Sequence, residues 1–266
     1  MVQKSKGNGW QIIAAISFVV MVVVNGLANA LPLNGQNTGQ VSDKYPNLFV
    51  PAPYTFGIWG LIYLLLLGYT LFQLGLFRKK NVSEMSWALT QKIAPLHLLA
   101  SLVNAGWIFA WHYDQIALSM ALMVLLLVTL ILIRRQIPIR GLTWKERLLM
   151  QVPFSIYFGW ITVATIANAT ALLVSIGWQG FGLSDVAWTV IILLIGAAIA
   201  IAAIVRNRDA AYGLVPMWAY AGILARRTGT QPQYPVIAVA LVACLAVFVA
   251  VEGYILLSGK KNAVRA

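Results

Sequence analysis

The chain has 266 residues, of which 61% are hydrophobic and only 10% are charged, and its mean hydropathy is +0.81. Soluble domains carry about a quarter charged residues, so this composition excludes an ordinary soluble protein. The net charge of +12 does not indicate nucleic acid as a partner, because the basic residues lie in short loops and tails, where they orient membrane spans. Cys244 is the one cysteine, so no disulfide can form within the chain. These features predict an all-α, polytopic membrane helical bundle.

Long apolar runs predict the membrane spans. A helix of about 20 apolar residues crosses the hydrocarbon core of a bilayer. The seven clearest runs are residues 10–31, 53–77, 91–112, 115–134, 147–175, 185–205 and 235–258. An eighth candidate, residues 210–225, is short and is interrupted by Gly213 and Pro216. We prefer eight spans to seven, because the basic residues near the C-terminus then fit the positive-inside rule slightly better.

The basic residues also predict the orientation. They cluster before the first span, after the second, between the fourth and fifth, and after the sixth, and all these positions lie on one side of the membrane. We therefore expect an integral, multi-pass protein of the cell inner membrane with a cytoplasmic N-terminus. The first span has features of a cleaved signal peptide, but its apolar run is longer than the usual h-region, so we expect an uncleaved span.

Three spans each carry aromatic and polar residues on one helix face, because the residues lie three or four positions apart. The members are Trp59 and Tyr63 in the second span, Asn104 and Trp107 in the third, and Trp160, Ala164 and Asn168 in the fifth, with Thr165 beside them. A polar group that faces lipid is costly, so these faces should point inward. They predict either an apolar pocket for a flat hydrophobic ligand or interhelical hydrogen bonds that hold the bundle together.

Three segments resemble motifs of the tryptophan-rich sensory protein family (TspO/MBR, the translocator proteins). "PAPYTFGIWGLIY" is similar to the family's second-helix motif, "LVNAGW" to its third-helix motif and "VPFSIYFGWITVATIAN" to its fifth-helix motif. The resemblance covers about residues 10–175, although Tyr54 stands where the family prefers Trp. It implies a TspO-like five-helix transmembrane core over residues 1–178. Residues 179–266 would form a C-terminal transmembrane extension of two or three spans.

The family resemblance implies a receptor, sensor or carrier for a porphyrin, a haem-like tetrapyrrole or a sterol. The first loop, residues 32–52, would close the pocket, and its prolines would stiffen the rim and so reduce the ordering cost of binding. The ligand-binding residues that the resemblance implies are Pro51, Pro53, Tyr54, Trp59, Tyr63, Asn104, Trp107, Trp160, Thr165 and Asn168. We expect no catalytic residue, and we regard an enzyme as the weaker interpretation because the spans are poor in acids and histidines.

A secondary transporter of a small solute or ion is the alternative function. Glu252 lies inside a span, where a carboxylate is a candidate proton or cation site, although we expect it to extend to the interface. His97 and His112 are fifteen residues apart with no partner at ligand spacing, so we predict no metal site. The partners we expect are membrane lipids and a hydrophobic small molecule. The small residues at 193–203 are compatible with internal packing or with a homodimer.

Overall fold

The structure is a computed structural model that describes residues 9–31, 33–76, 84–229 and 231–264, with side chains as far as residue 258. In these ranges the chain forms helices joined by short connections, with no strand. The helices are α1 Gly9–Ala30, α2 Thr38–Asp43, α3 Ile58–Gln73, α4 Glu84–His112, α5 Ile116–Gln136, α6 Trp144–Glu146, α7 Val152–Ser175, α8 Asp185–Asn207, α9 Ala210–Gly229 and α10 Pro235–Val264. A π-helical turn, Arg147–Gln151, joins α6 to α7, and 3₁₀ turns occur at Leu33–Gly35, Pro53–Gly57 and Gly180–Gly182.

Among the described residues, seven helical segments are long and apolar enough to cross a membrane. They are Gly9–Ala30, Pro53–Gln73, Glu84–His112, Ile116–Gln136, Trp144–Ser175, Asp185–Asn207 and Pro235–Ser258. Each coincides with one of the seven predicted runs, so the prediction of an all-α, polytopic membrane bundle is confirmed. The clearest boundary difference is that α4 begins at Glu84 rather than at residue 91. The added residues 84–90 include the helix formers Glu84, Ala88 and Leu89, which continue the helix beyond the predicted run.

The chain divides into two compact units. Unit 1 comprises Met1–Thr38 and Trp59–Phe154, and unit 2 comprises Gly39–Ile58 and Ser155–Ala266. The first loop is shared, because its residues as far as Thr38 belong to unit 1 and the rest belong to unit 2. The predicted core at residues 1–178 and extension at residues 179–266 stay a prediction.

In unit 1, α1 and α4 run parallel in a fixed register. The Gln11 side chain donates to Thr90 Oγ1 at 3.0 Å, and Asn25 Nδ2 donates to Asn104 Oδ1 at 2.7 Å. Between these bonds the Phe18 ring stacks on His97, with 6.0 Å between the ring centroids. All three pairs are separated by the same 79 residues, which is the pattern of two straight helices that run in the same direction. The first and third predicted spans therefore cross in the same sense, as alternating spans must.

His97 is a packing residue of unit 1. Its side chain is 1% exposed, and its ring lies edge-on to Tyr69 and Phe154, with centroid distances of 5.2 and 5.8 Å. Thr70 Oγ1 lies 3.5 Å from its Nε2 atom. This aromatic shell places the imidazole inside the helix packing of unit 1.

In unit 2, the eighth candidate segment forms the complete helix α9, which packs on three other helices. Two residues of α7 bond to the beginning of α9. Ser155 Oγ donates at 2.5 Å to Oδ2 of Asp209, the residue before α9, and Thr162 Oγ1 accepts from Tyr212 Oη at 3.2 Å. Tyr220 Oη donates to the Leu193 carbonyl of α8 at 2.7 Å, and its ring meets Phe248 of α10 at 5.2 Å. Because α9 packs on other helices in this way, it can be less apolar than a helix that faces lipid. Its lower hydropathy explains why α9 is not among the seven apolar segments.

The opposite end of α9 reaches the first loop. Arg226 Nη2 forms an ion pair with Asp43 Oδ1 at 2.8 Å, and Arg226 Nη1 donates to the carbonyl of Pro51 at 3.2 Å. The helix thus runs from the beginning of the unit 2 part of α7, at Ser155, to the loop that precedes α3. Because α9 is not among the seven segments that are long and apolar enough to cross a membrane, the preferred count of eight spans stays a prediction.

Part of the small-residue stripe at 193–203 serves packing within unit 2. A Cβ atom on Gly196 would lie 2.8 Å from Tyr220 Oη and 3.1 Å from Ile166 Cδ1. The glycine therefore permits α8, α9 and α7 to approach closely. Ala197 and Ala200 on the same stripe are also buried.

Candidate functional site

A line of four stacked aromatic rings, which we call the aromatic run, lies in unit 1. It consists of Tyr63 and Trp59 on α3 and of Trp107 and Trp111 on α4. Trp59 stacks on Tyr63 with 5.6 Å between ring centroids and an interplanar angle of 20°. Trp59 also stacks on Trp107 at 6.0 Å and 30°, and Trp107 stacks on Trp111 at 6.0 Å and 20°. The α3 and α4 stripes predicted from sequence therefore meet through their aromatic members.

Trp107, one of the two inner rings of the aromatic run, has an indole N–H group without a hydrogen-bond partner among the described residues. Its side chain is 5% exposed, and its Nε1–H donor is buried with no hydrogen-bond acceptor in the described part of the chain. A buried donor without an acceptor costs about 1–3 kcal/mol of stability. A ligand oxygen that accepted a hydrogen bond from this N–H group would remove that cost. Trp59 is half-buried, so part of its surface is also accessible.

The first loop is attached to the aromatic run at its Trp111 end. Trp111 Nε1 donates to the carbonyl of Thr38 at 3.1 Å. The Asn34 side chain donates to the carbonyl of His112 at 2.9 Å, and Asn34 itself adopts a left-handed backbone conformation with φ of 56°. Asparagine is one of the few residues with a Cβ that adopts this conformation readily. The unit 1 part of the loop thus lies over the end of α4.

Asn104 makes an interhelical hydrogen bond. It is fully buried, and its Oδ1 atom accepts the 2.7 Å bond from Asn25. For this residue the structure shows the interhelical bond that was the alternative to a pocket.

Unit 2 contains the other part of the predicted site, which begins at the end of the first loop. We call residues 51–56 the rim. Pro51 is buried, whereas Pro53 and Tyr54 are exposed, and Pro53 starts the 3₁₀ turn that leads into α3. Proline suits this first position because its fixed φ matches the turn and no N–H group is lost.

Helix α9 forms hydrogen bonds with the backbone of the rim. The amide of Ala52 donates to the carbonyl of Gly222 at 3.0 Å, and Trp218 Nε1 donates to the carbonyl of Thr55 at 3.0 Å. The Trp218 ring also meets the Tyr54 ring edge-on at 5.6 Å. Helix α9, which belongs to the predicted C-terminal extension, therefore supports the rim.

The three predicted residues of α7 lie at different depths of the packing. Trp160 is 3% exposed, and the Phe56 ring of the rim lies edge-on to it at 6.1 Å. Asn168 is 2% exposed. Thr165 is half-buried, and its hydroxyl donates to the carbonyl of Ile161 within the same helix at 2.6 Å.

The ten predicted residues are divided between the two units. Unit 1 contains Tyr63, Trp59, Asn104 and Trp107, and unit 2 contains Pro51, Pro53, Tyr54, Trp160, Thr165 and Asn168. That all ten contact one ligand stays a prediction. A cavity of about 480 Å³ in unit 2 is lined by residues 46–49, the end of α7 and the beginning of α8, and none of the ten lines it.

Sequence reasoning missed Trp111 and the role of α9. The signal for Trp111 was present, because it lies four residues after Trp107 and therefore on the same helix face. The contacts of Gly222, Trp218 and Arg226 with the rim join residues more than 160 positions apart in the chain. No local pattern reports a pairing of that separation.

Two buried carboxyl groups lie near the opposite end of α9. Glu252 on α10 is 7% exposed, its Oε1 atom has no hydrogen-bond partner in the described residues, and it packs directly on Gly213. The expected extension to the interface was therefore wrong, because the side chain turns into the helix packing. Asp209 is 1% exposed and precedes Gly213 by one turn. No group of three metal-ligating side chains is present in the described ranges.

Comparison with known protein families identifies the chain. The model of the TSPO-like protein family matches residues 11–254, from the beginning of α1 into the last turns of α10. The match thus includes the helices that follow the predicted five-helix core. Neither the comparison with curated proteins nor that with solved structures gives a significant match. The family match covers most of the sequence and bears out the resemblance of its second, third and fifth spans, so the chain belongs to the TSPO-like protein family.

Proposed function

We propose that this protein binds a flat hydrophobic ligand, a porphyrin or other tetrapyrrole or a sterol-like molecule, and acts as a membrane receptor, sensor or carrier for it. The observation that carries the proposal is the stacking of Trp59 on Trp107 beside the unpaired Nε1–H of Trp107. Membership of the TSPO-like family supports it.

The physical case rests on the match between the aromatic run and such a ligand. Offset indole rings offer extended flat surfaces, and each aromatic pair contributes about 0.5–1.5 kcal/mol beyond the area that it buries. The Trp107 donor would bond a carboxylate of a porphyrin or the hydroxyl of a sterol. This bond would also remove the cost of a buried donor that has no acceptor.

The first loop would cover the ligand from the end of α4. Two hydrogen bonds attach this loop to α4. The Asn34 side chain of the loop donates to the His112 carbonyl, and the Trp111 ring nitrogen of α4 donates to the Thr38 carbonyl. Such single bonds can open without unfolding a helix. The other predicted residues, Pro51, Pro53, Tyr54, Trp160, Thr165 and Asn168, lie in unit 2, and their contact with a ligand stays a prediction.

Porphyrin titration of the purified protein tests the proposal. Protoporphyrin IX absorbance in detergent gives a dissociation constant that does not depend on tryptophan fluorescence. We expect W59F and W107F each to weaken binding about 3- to 10-fold, the equivalent of one aromatic contact. W144F is the matched control, because Trp144 is 70% exposed at the beginning of α6. Equal affinities for all four proteins would contradict the proposed site.

A sterol arm identifies the ligand class. Radiolabelled cholesterol is titrated into the same four proteins, with unlabelled protoporphyrin IX as competitor. Binding of cholesterol alone, with the same two variants weakened, assigns a sterol-like ligand to the aromatic run. If neither molecule binds the wild-type protein, the proposed ligand class is wrong.

A second candidate function, ion-coupled secondary transport, is favoured by Glu252. Transporters often place acids and interrupted helices in the middle of the bundle. Here Pro216 has no N–H for the carbonyl of Tyr212, one turn earlier in α9. A Cβ atom on Gly159 of α7 would lie 3.0 Å from this Tyr212 oxygen. Because glycine has no Cβ, α7 leaves space beside the oxygen.

Flux through proteoliposomes separates the two functions. If the protein transports, uptake driven by a proton or sodium gradient should be lost in E252Q and retained in W107F. E84Q is the control, since Glu84 lies in the first turn of α4. The absence of gradient-driven uptake, or unchanged uptake in E252Q, would exclude Glu252 as a coupling site.

We also propose that the protein resides in the cell inner membrane with its N-terminus in the cytoplasm, from the distribution of basic residues. In a background without Cys244, K44C in the first loop should react with a membrane-impermeant maleimide in intact cells. R140C, between α5 and α6, should react only after permeabilisation. The reverse pattern would invert the topology.

A further inference from the structure

The cavity in unit 2 is a second candidate binding site, separate from the aromatic run. Its volume of about 480 Å³ lies within the range of about 300–1,000 Å³ typical of small-molecule pockets. One wall is the first-loop segment 46–49, and the others are the end of α7, the connection that precedes α8 and the first turns of α8. All these residues belong to unit 2.

Two tryptophans form a fixed aromatic wall of this cavity. Trp178 and Trp188 lie 4.8 Å apart with an angle of 61° between the rings. Trp188 Nε1 donates to the carbonyl of Gly180 at 2.6 Å. A Cβ on Gly180 would lie 2.7 Å from that nitrogen, and Gly180 has a φ of +63°, so both sterics and backbone favour glycine there. Both indoles are half-buried, which leaves ring surface open to a ligand.

The loop wall is also held in place before any ligand binds. The Asn47 side chain donates to the carbonyl of Tyr45 at 2.8 Å and accepts from the amide of Phe49 at 3.0 Å. Phe49 is 1% exposed and anchors this segment. A preformed wall reduces the ordering cost of binding.

The charge of the residues that line the cavity indicates which ligands it can bind. Asp185 is the one charged residue among those that line it, and no lysine or arginine of the described chain does so. Asp185 is exposed in the first turn of α8. It lies three positions before Trp188, so both side chains share one face of α8. An anionic group beside indole rings attracts cations and repels the carboxylates of a porphyrin.

We propose that this cavity binds an organic ammonium ion that carries an apolar body, with the ammonium group between Asp185 and the rings of Trp178 and Trp188. The apolar body lies against Leu173, Val174 and Ile192, which line the rest of the space. Tryptophans at span ends mark the membrane interface, so the ammonium group comes either from a lipid headgroup or from a free amphiphilic amine. The inference is independent of the ligand proposed for the aromatic run.

A pair of isosteric probes tests the charge requirement. Benzyltrimethylammonium and neopentylbenzene have the same shape, and only the first is charged. Calorimetric titration of the full chain in a maltoside detergent, which contains no ammonium group, should show binding of the cation and much weaker binding of the neutral compound. We expect D185N to weaken binding of the cation about 10-fold, because the ion pair is lost while the shape is kept. Equal affinities for the two probes would overturn the proposal.

Two further variants make the result specific to the cavity. D114N removes a negative charge in unit 1, and asparagine suits the left-handed backbone of Asp114, whose φ is 57°. Its affinity for the cation should equal that of the wild-type protein, and an equal loss in D114N and D185N would contradict the site. W178F should weaken binding about 3- to 10-fold, and it decides the question if D185N does not fold. Protoporphyrin binding should be unchanged in D185N and W178F.

Lipid competition identifies the source of the ammonium group. Phosphatidylcholine or phosphatidylglycerol is added to the micelles before the titration. A higher apparent dissociation constant with phosphatidylcholine alone assigns the cavity to a lipid headgroup. Unchanged affinity in both mixtures assigns it to a free amine. Equal inhibition by the two lipids would show that the cation does not require this site.

Discussion

The side chain of Thr55 occupies the space that a Cβ atom on Gly222 would need. Thr55 is fully buried, so α9 and the rim approach each other here at backbone distance. The adjacent bond from Ala52 to the Gly222 carbonyl depends on that approach. A residue near the end of α9 thus sets the position of the turn that begins α3, and this gives the C-terminal helices a structural task.

The substitution Gly222→Ala should separate α9 from the rim. Its new methyl group would collide with the fully buried Thr55, so we expect a loss of about 1–3 kcal/mol of stability, typical of overpacking. The apparent melting temperature in detergent measures this loss. Gly229→Ala is the control, because nothing lies within 4 Å of its Cβ position. Equal melting temperatures for the two variants would contradict the close contact.

The ion pair of Arg226 with Asp43 should contribute little by itself. The two side chains are 25% and 48% exposed, so we expect a coupling energy below about 1 kcal/mol in a double-mutant cycle. R226A should nevertheless cost more than D43A, because Arg226 also donates to the carbonyl of Pro51. Denaturant unfolding of the two single variants and the double variant gives these values. A larger loss in D43A would show that the backbone bond of Arg226 is unimportant.

The hydrogen bond between Asn25 and Asn104 should hold α1 against α4. Hydrogen bonds between membrane helices contribute about 0.6–2 kcal/mol, so N25L and N104L should show a coupling energy of that size. The cycle is measured by unfolding in mixed micelles. T129V serves as the control, since the hydroxyl of the buried Thr129 donates to the Leu125 carbonyl of its own helix. If N25L and N104L have additive effects, the bond does not stabilise the bundle.

Glu252 and Gly213 should also be coupled. The carboxyl group lies where a Cβ on residue 213 would be, so Gly213→Ala must displace it. We expect Gly213→Ala to lower the melting temperature clearly in the wild-type background and less in an E252A background, where the obstructing atoms are absent. Gly253→Ala, whose Cβ would meet no neighbour within 4 Å, is the control. The same loss in both backgrounds would place Glu252 elsewhere.

The spans were predictable because the backbone N–H and C=O groups of a long apolar run need hydrogen-bond partners in lipid. Within a single run, a helix supplies these partners. The stripes of α3 and α4 were predictable for a related reason, since residues three or four positions apart share a helix face, and Trp59 does meet Trp107. The burial of Glu252 was not predictable from its position near the end of a span. It depends on Gly213, a residue of another helix that has no side chain to exclude the carboxyl group.

The sequence by itself determined the class of the protein, its helices and the family motifs, because these follow from composition and from periodicity over a few turns. Only the tertiary structure decided which side chains meet: the indole stack beside an unpaired donor, the attachment of the rim to α9, and the cavity walled by Trp178 and Trp188. These contacts join residues on different helices, and their geometry is set by how the helices pack rather than by any local pattern of the chain.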